Sequence, residues 1–544
     1  MFIDAREVEF GTVLKMDVCI VGAGIAGITI AQELDRLGIE TSVVESGGFT
    51  LDEETRDLGR GESVGLPTEW VDGRGARIVG GNSRFWDGFC RPLDEHDFQK
   101  RKWIPHSGWP FSKSDLTKYY EQAGTVLKLS PPHLDPSYGL EELGHQNGQR
   151  AGFLNDRVIN SVSQYSPVKR VARMYLKHLR ASERLMVLLH ANAIEIETDP
   201  AARTVRRLCA VTLRGRKVYV SARLYVLAAG GIENARLLLA SNRVRAGGLG
   251  NEHDLVGRFF MDHPQVMAGE IQPSENWTGH TLYDDKAEHR ILAAGGTRLA
   301  ARYSLSPKVQ KSEGLLNGLV WLSSNFGIEG TEIERSFLNI RRALGQGLGR
   351  SEGSLLRDVG KLLGHPVVSV RLMLADWLKP EILRRGIQFR AMVEPSPDPE
   401  SRVTLSDELD QLGMRRARVD WRLSPLVHRT FERNLGILAE EFERSGIAKV
   451  RLDSGQSWSE AYVMRPCGHH IGATRMHDSS NHGVVDRNCL VHGMQNLFIA
   501  GSSVFPTAGA HVPTMTVVAL SLRLAEHLVR RIQQPHTAAR SWKA

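Results

Sequence analysis

Asp17-Val-Cys-Ile-Val-Gly22-Ala-Gly24-Ile-Ala-Gly27, the run that follows it to Leu37, and Thr41-Ser-Val-Val-Glu45 form the stretch whose reading decides the fold. A short apolar run opens into three glycines, and Ile25, Ile28, Ala31 and Leu34 then recur at helical spacing. The pattern predicts a strand, a tight turn, a helix and a second strand.

Each glycine has a separate physical task in that pattern. Gly22 permits the turn, Gly24 lets backbone N–H groups approach a pyrophosphate, and Gly27 lets the helix lie close against the strand. The phosphates would sit at the positive end of the helix dipole. Glu45 falls about 20 residues on, where an acid can accept a hydrogen bond from a ribose 2′-hydroxyl. A carboxylate there argues against a 2′-phosphate, hence against NADP. The stretch points to a dinucleotide without saying which one.

A chain of 544 residues is too long for one ordinary core, so two domains are expected. Hydrophobic content of 41% is normal for a globular protein. No run approaches the ~18 apolar residues of a membrane span. The opening Met1-Phe-Ile-Asp-Ala-Arg has no basic segment leading into an apolar one, which sets a cytoplasmic expectation. Cys19, Cys90, Cys209, Cys467 and Cys489 are scattered without a CxxC, as suits reduced thiols, and they argue against a built-in iron–sulfur cluster. The net charge of +7 is spread among acids and is not interleaved with aromatics, which argues against nucleic-acid binding.

Further along, Arg77-Ile-Val-Gly80-Gly81-Asn82-Ser83-Arg-Phe85-Trp86 reads as a loop whose amides face a ligand, with two aromatics packed beside it. Gly108-Trp109-Pro110-Phe111-Ser112-Lys-Ser114 leads into a helix that Ser112 or Ser114 can cap. Pro131 to Gly152 reads as an extended excursion. From Leu188 the pattern turns β-like, and Leu224-Tyr-Val-Leu-Ala-Ala229-Gly230 reads as a buried strand ending in small residues, returning to the first sheet. Alternating runs at Gly386–Glu394 and Ser401–Ser406 predict antiparallel strands, and Thr331 to Arg385 reads as a helical insertion rich in arginine.

The C-terminal block carries the chemistry. Cys467-Gly-His469-His470-Ile-Gly472 begins it, Leu497-Phe-Ile-Ala500-Gly501-Ser502 is a third apolar strand stopping at glycine, and His511-Val-Pro513-Thr514-Met-Thr516 opens a helix. Thr514 or Thr516 is placed to cap that helix, whose N-terminus would stabilise negative charge on a reduced flavin. Histidine suits the accompanying proton transfer, since its ordinary pKa lies near neutrality. Core or surface polarity and a metal site are the alternatives for these histidines. The spacing of Cys467, His469, His470, His477 and His482 matches no usual zinc pattern, and no metal is expected.

With these pieces in order, the chain resembles the glucose-methanol-choline (GMC) flavoprotein oxidoreductases, particularly the bacterial branch of pyranose oxidases and glycoside 3-dehydrogenases. The resemblance also covers Gly108-Trp109-Pro110 and Leu255-Val-Gly257-Arg258-Phe-Phe-Met261-Asp262-His263-Pro264. It implies an α/β fold, with a discontinuous Rossmann-like FAD-binding domain (1–100, 190–265 and 465–544). An α+β substrate domain with an antiparallel sheet (101–189 and 266–464) would carry the insertion at about 331–385.

The resemblance further implies oxidation of a CH–OH group, a sugar or glycoside ring hydroxyl foremost, with oxygen or another acceptor taking the electrons. A non-sugar alcohol, or a lyase that uses FAD only structurally, is the alternative. His469 falls on the base position with His470 beside it, and His511 falls on the second position of the active-site pair. Cofactor contacts are implied at Gly22, Gly24, Ala26, Gly27, Glu45, Ser46, Arg77, Gly80, Gly81, Asn82, Ser83, Ala193, Ala229, Gly230, Gly501, Ser502, Val512, Pro513 and Thr514. Asn82 is expected near the flavin N5 edge. Many sugar-oxidising relatives carry asparagine at the His511 position. Phe85 stands where some pyranose oxidases attach FAD to histidine, so non-covalent FAD is expected.

Overall fold

The computed structural model describes residues 1–68, 71, 75–130, 156–168, 171–275, 277, 282–286, 297–326, 331–346, 352–377, 384–452 and 465–534. The Pro131–Gly152 excursion lies outside them.

The first layer is an eight-stranded sheet. Its strand order is Phe2–Asp4, Leu185–Leu189, Thr41–Val44, Val13–Val21, Lys217–Leu227, Val205–Val211 and Asn192–Thr198, with Leu497–Ile499 also paired to Lys217–Leu227. The pairs around Val13–Val21 are parallel, and the Val205–Val211 and Asn192–Thr198 pairings are antiparallel. Val18 to Val21 and Thr41 to Val44 are buried throughout, as parallel strands covered on both faces must be.

The glycine turn behaves as its sequence predicts. Gly22 has φ 103°, and a Cβ there would stand 2.6 Å from the Ala228 carbonyl oxygen. A Cβ on Gly27 would stand 2.0 Å from the Gly22 carbonyl oxygen, so the helix Ile25–Arg36 lies on its strand only because Gly27 has none.

Two features depart from the sequence reading. Lys217–Leu227 is one continuous strand, and Leu185–Leu189 also belongs to the first sheet, so the second stretch of chain in this layer begins before residue 190. The helix Thr117–Val126 packs on Thr514–Gln533: the Tyr120 and Thr516 hydroxyls lie 2.9 Å apart, and the Tyr119 hydroxyl donates to Glu526 at 2.7 Å. The segment 101–189 therefore divides between the layers, because the helix buries Tyr119, Tyr120 and Ala123 in the first core. Ser112 is the residue that caps, forming a capping box with Asp115 ahead of this helix.

The second layer is an antiparallel sheet ordered Ala448–Arg451, Pro264–Pro273, Gly386–Val393, Gly318–Asn325, Arg298–Leu305, Val158–Tyr165 and Phe89–Cys90, with Arg465–Pro466 added beside Pro264–Pro273. One face packs on the helix Pro425–Arg444 through Val162, Tyr303, Leu322, Phe389 and Phe431. By pleat alternation, Ser161, Ser163, Arg302, Trp321, Arg390 and Met392 lie on the opposite face.

The run Ser401–Ser406 falls in the strand Arg402–Leu409, which pairs antiparallel with Arg415–Trp421 as expected but outside the second layer. It lies in a separate three-stranded sheet with Arg415–Trp421 and Glu62–Gly65, whose Val403, Val419 and Trp421 join the first core. The insertion is helical, as Glu332–Gln346, Glu352–Gly364 and Pro366–Trp377, and it leaves Leu356, Leu363 and Val367 exposed. Among the described residues no helix is long and apolar enough to cross a membrane.

A buried ion pair joins the layers. Arg101 donates to both Glu394 oxygens at 2.8 and 2.6 Å, and Glu394 also accepts from the backbone N–H groups of Asn317 at 3.2 Å and Gly509 at 3.3 Å. Removing one partner strands the other charge in the interior. Arg101→Ala should therefore destabilise the protein by about 3–5 kcal/mol, read as a lowered denaturant midpoint. Gly27→Ala should displace the helix from its strand, and the loss of bound flavin per polypeptide, measured by absorbance, checks it.

Candidate active site

A cavity of about 410 Å³ opens where the parallel strands end, at Val21, Val44, Ala228 and Ala500. In open α/β sheets this carboxyl edge is where ligands bind. Its wall includes Gly22, Gly24, Ala26, Glu45, Ser46, Arg77, Gly81, Asn82, Ser83, Ala193, Ala229, Gly230, Gly501, Ser502, Val512, Pro513 and Thr514, together with His469 and His470. Three other sequence candidates, Gly27, Gly80 and His511, are not in the wall. Gly27 lies behind the turn, and Gly80 donates its N–H to the Ala23 carbonyl at 2.8 Å, seating the second glycine loop on the first.

Glu45 serves the turn itself. One carboxylate oxygen accepts from the Ala23 N–H at 2.8 Å and the other from the Gly47 N–H at 2.9 Å. Burial pushes its pKa up, while those amides and Arg77 oppose the rise. Each oxygen keeps a further lone pair, so a ribose hydroxyl can still be accepted. Arg77 pairs with Glu233 at 2.9 Å and donates to the Ser46 hydroxyl at 3.2 Å. Asn82 uses its side-chain oxygen to accept from the Ala76 N–H at 3.0 Å, and the Ser83 hydroxyl donates to the Gly80 carbonyl at 2.6 Å.

These residues fit a flavin dinucleotide. The two glycine loops approach so closely that a Cβ on Gly81 would stand 3.1 Å from the Gly24 Cα. Trp86 lines the cavity, and its buried Nε1–H has no partner among the described residues. The helix Thr514–Gln533 begins at the wall with Pro513 as N-cap and no side-chain cap. Neither expected threonine caps it: Thr514 is already the first helical residue, and the Thr516 hydroxyl pairs with Tyr120. The positive end of that helix dipole therefore borders the cavity.

The histidines are fixed by pairing of two chain segments. Met261 and Ile471 exchange backbone hydrogen bonds at 2.9 Å in each direction. The Asp262 carboxylate accepts from the N–H groups of His263 at 2.7 Å, His469 at 2.9 Å and Gly468 at 3.0 Å. Burial pushes Asp262 up to about 7, against those amides.

His469 Nδ1 lies 3.1 Å from His263 Nδ1, and His263 Nε2 lies 2.8 Å from the Gly509 carbonyl oxygen. Burial, and then the His263 and His470 rings, hold the His469 pKa well below that of a free imidazole. Burial alone lowers His470 to about 3. The backbone oxygen of His470 accepts from the Ser502 hydroxyl at 2.6 Å.

His511 has partners of its own. Arg91 Nε donates to its Nε2 at 2.9 Å, and an Asp94 oxygen lies 3.3 Å from the same nitrogen. Burial and Arg91 lower it to about 4, against Asp94. Its neighbours Val512 to Thr514 line the cavity, whereas its own ring is held by Arg91 and Asp94, a partnership that spacing in sequence does not encode. Conversely, Asp262 and His263 enter the site without a role foreseen for either; the sequence signal was the Met261-Asp262-His263-Pro264 run.

The antiparallel sheet carries Leu319, Trp321 and Met392 against Ala510 and Cys467, beside His469. Around them Asp285 accepts from Arg390 at 2.8 Å, Ser323 at 2.9 Å and Trp321 Nε1 at 3.3 Å. Burial works against ionisation, but Arg390, Lys286 and Arg302 hold Asp285 below the usual carboxylate range. The buried Ser161 and Ser163 hydroxyls have no partner among the described residues.

Comparison with known proteins points to the same cofactor. Residues 397–521 match the C-terminal family model described as GMC oxidoreductase, and residues 15–61 match an FAD binding domain. The 6'''-hydroxyparomomycin C oxidase of Streptomyces lividus is 23% identical over 94% of this chain and 92% of its own. The fructose dehydrogenase large subunit of Gluconobacter japonicus is 26% identical over 58% of this chain, a match spanning about half (48%) of that protein's length. In fold, the chain is similar to pyridoxine 4-oxidase from Mesorbium loti, with TM-score 0.57 and 16% identity over 95% of this chain and 99% of that one. The chain thus carries a GMC oxidoreductase C-terminal domain and an FAD binding domain, and along its length it is similar to FAD-dependent oxidoreductases that act on CH–OH groups.

Proposed function

We propose that this enzyme oxidises a ring hydroxyl of a sugar or glycoside to the carbonyl, with His469 as the base. The observation that carries the reading is the His469 ring in the wall of the dinucleotide cavity, with Nδ1 already engaged by His263.

Gly22, Gly24, Glu45, the Gly81–Ser83 loop and the start of the Thr514–Gln533 helix would hold FAD, which supplies the hydride acceptor when bound. His469 takes the hydroxyl proton at Nε2, the nitrogen that His263 does not engage. Loss of that proton raises the hydride-donating power of the carbinol carbon. His470 braces the loop through its backbone, and His511, held by Arg91 and Asp94, fixes the segment that leads into Val512 to Thr514. The sheet face beside Cys467 and His469 is polar, with Ser161, Ser163, Arg302 over the Trp321 ring and the Arg390–Asp285 pair, which supports a polyhydroxylated donor. The relatives named for fructose and for hydroxyparomomycin support the same class.

Anaerobic addition of a panel of sugars and glycosides to the purified flavoprotein tests the reading. Bleaching of the flavin band by a sugar or glycoside is expected, and readmitted air then separates oxidase from dehydrogenase. Bleaching by simple alcohols only would overturn the sugar assignment. His469→Ala should slow flavin reduction by roughly 100-fold or more with flavin content unchanged, as measured by stopped-flow absorbance. Because the His469 pKa is lowered, its base form persists as pH falls. The reduction rate should therefore stay level from pH 8 to about 6.5, the pKa of a free imidazole, and decline only below it.

A further inference from the structure

We propose that His263 is a positioning residue that sets the tautomer of His469, holding a proton on His469 Nδ1 and so keeping Nε2 free to accept one. This inference rests on the reading of His469 as the base, and it assigns a task to a residue that reading leaves idle.

The argument is a count of protons along a short chain. The Gly509 carbonyl can only accept, so His263 Nε2, 2.8 Å away, carries a hydrogen. His263 is fully buried, and burial lowers it to about 4, so the ring is neutral near neutrality and holds one proton. Its Nδ1 is therefore a bare lone pair. His469 Nδ1 lies 3.1 Å from that lone pair, and two bare nitrogens would repel, so the hydrogen between them belongs to His469. A neutral His469 protonated at Nδ1 is unprotonated at Nε2. In water the opposite tautomer is the commoner form of histidine, and in it Nε2 is a donor that cannot act as a base.

The frame around this chain is rigid. Asp262 binds the backbone of His263, Gly468 and His469 together, which fixes the spacing of the two rings. Gly509 is fixed in turn by its N–H on Glu394, the carboxylate held by Arg101. The titratable groups surrounding the pair are Asp262, Cys467, His470, Glu394 and His511.

The test reads the tautomer directly in the holoenzyme, with ring nitrogens labelled with nitrogen-15 and long-range proton–nitrogen correlation at pH 7. His469 signals are assigned by their loss in His469→Asn. The expected spectrum shows His469 Nδ1 as the protonated nitrogen and Nε2 as the bare one. His263→Leu, which removes the acceptor and keeps bulk, should exchange those two signatures. His263→Asn, whose side-chain oxygen can stand where Nδ1 stood, should restore the original pattern, a rescue that mere packing would not give.

Wild-type His469 protonated at Nε2 would overturn the proposal, as would a tautomer unchanged in His263→Leu. Should that variant fail to fold, the wild-type spectrum and His263→Asn still decide. The expected tautomer together with full flavin reduction in His469→Ala would sink the assignment of the base while leaving the proton chain in place.

Discussion

Absence of a side chain at Gly27 is the constraint on which the rest of this enzyme depends. The helix Ile25–Arg36 rests on its strand through backbone, with room for no Cβ between Gly27 and the Gly22 carbonyl. That contact sets the helix N-terminus at the carboxyl edge of the sheet and draws the Ala228 strand end beside it. Glu45 then ties the turn from within through the Ala23 amide, and Gly80 docks the second loop on the same residue. The cavity exists because these backbone segments meet without side chains between them.

A second constraint sets the chemistry. One carboxylate, Asp262, gathers amides from segments distant in sequence and so turns two loops into one unit. Its own burial is costly, which the neighbouring amides offset. The imidazoles mounted on that unit are kept neutral chiefly by lack of water. Burial is the largest cause lowering His263, His469, His470 and His511 alike.

Much of the first layer was legible in the sequence because its signals are local. The glycine turn, the apolar strands and Glu45 lie in one short stretch, and the wall of the cavity follows from loops that each carry their own glycines. Direction and partnership were not legible. His511 and Val512 are neighbours, yet one ring turns to Arg91 and the other residue lines the cavity. Leu185–Leu189 joins the first sheet and Thr117–Val126 the first core, although both stand in a segment assigned to the second layer. Helix caps misled for a related reason: Pro513 fixes where the last helix starts, and Thr516 spends its hydroxyl on Tyr120.

The position of Leu497–Ile499 in the first sheet has a consequence for biosynthesis. This strand pairs with Tyr225–Leu227, hundreds of residues earlier, and both segments are buried in the first core. A nascent chain leaving the ribosome therefore carries the Tyr225–Leu227 edge open until the segment through Ile499 has emerged. Unpaired apolar edges recruit other chains, so this edge is a point of aggregation hazard during synthesis until Leu497–Ile499 covers it.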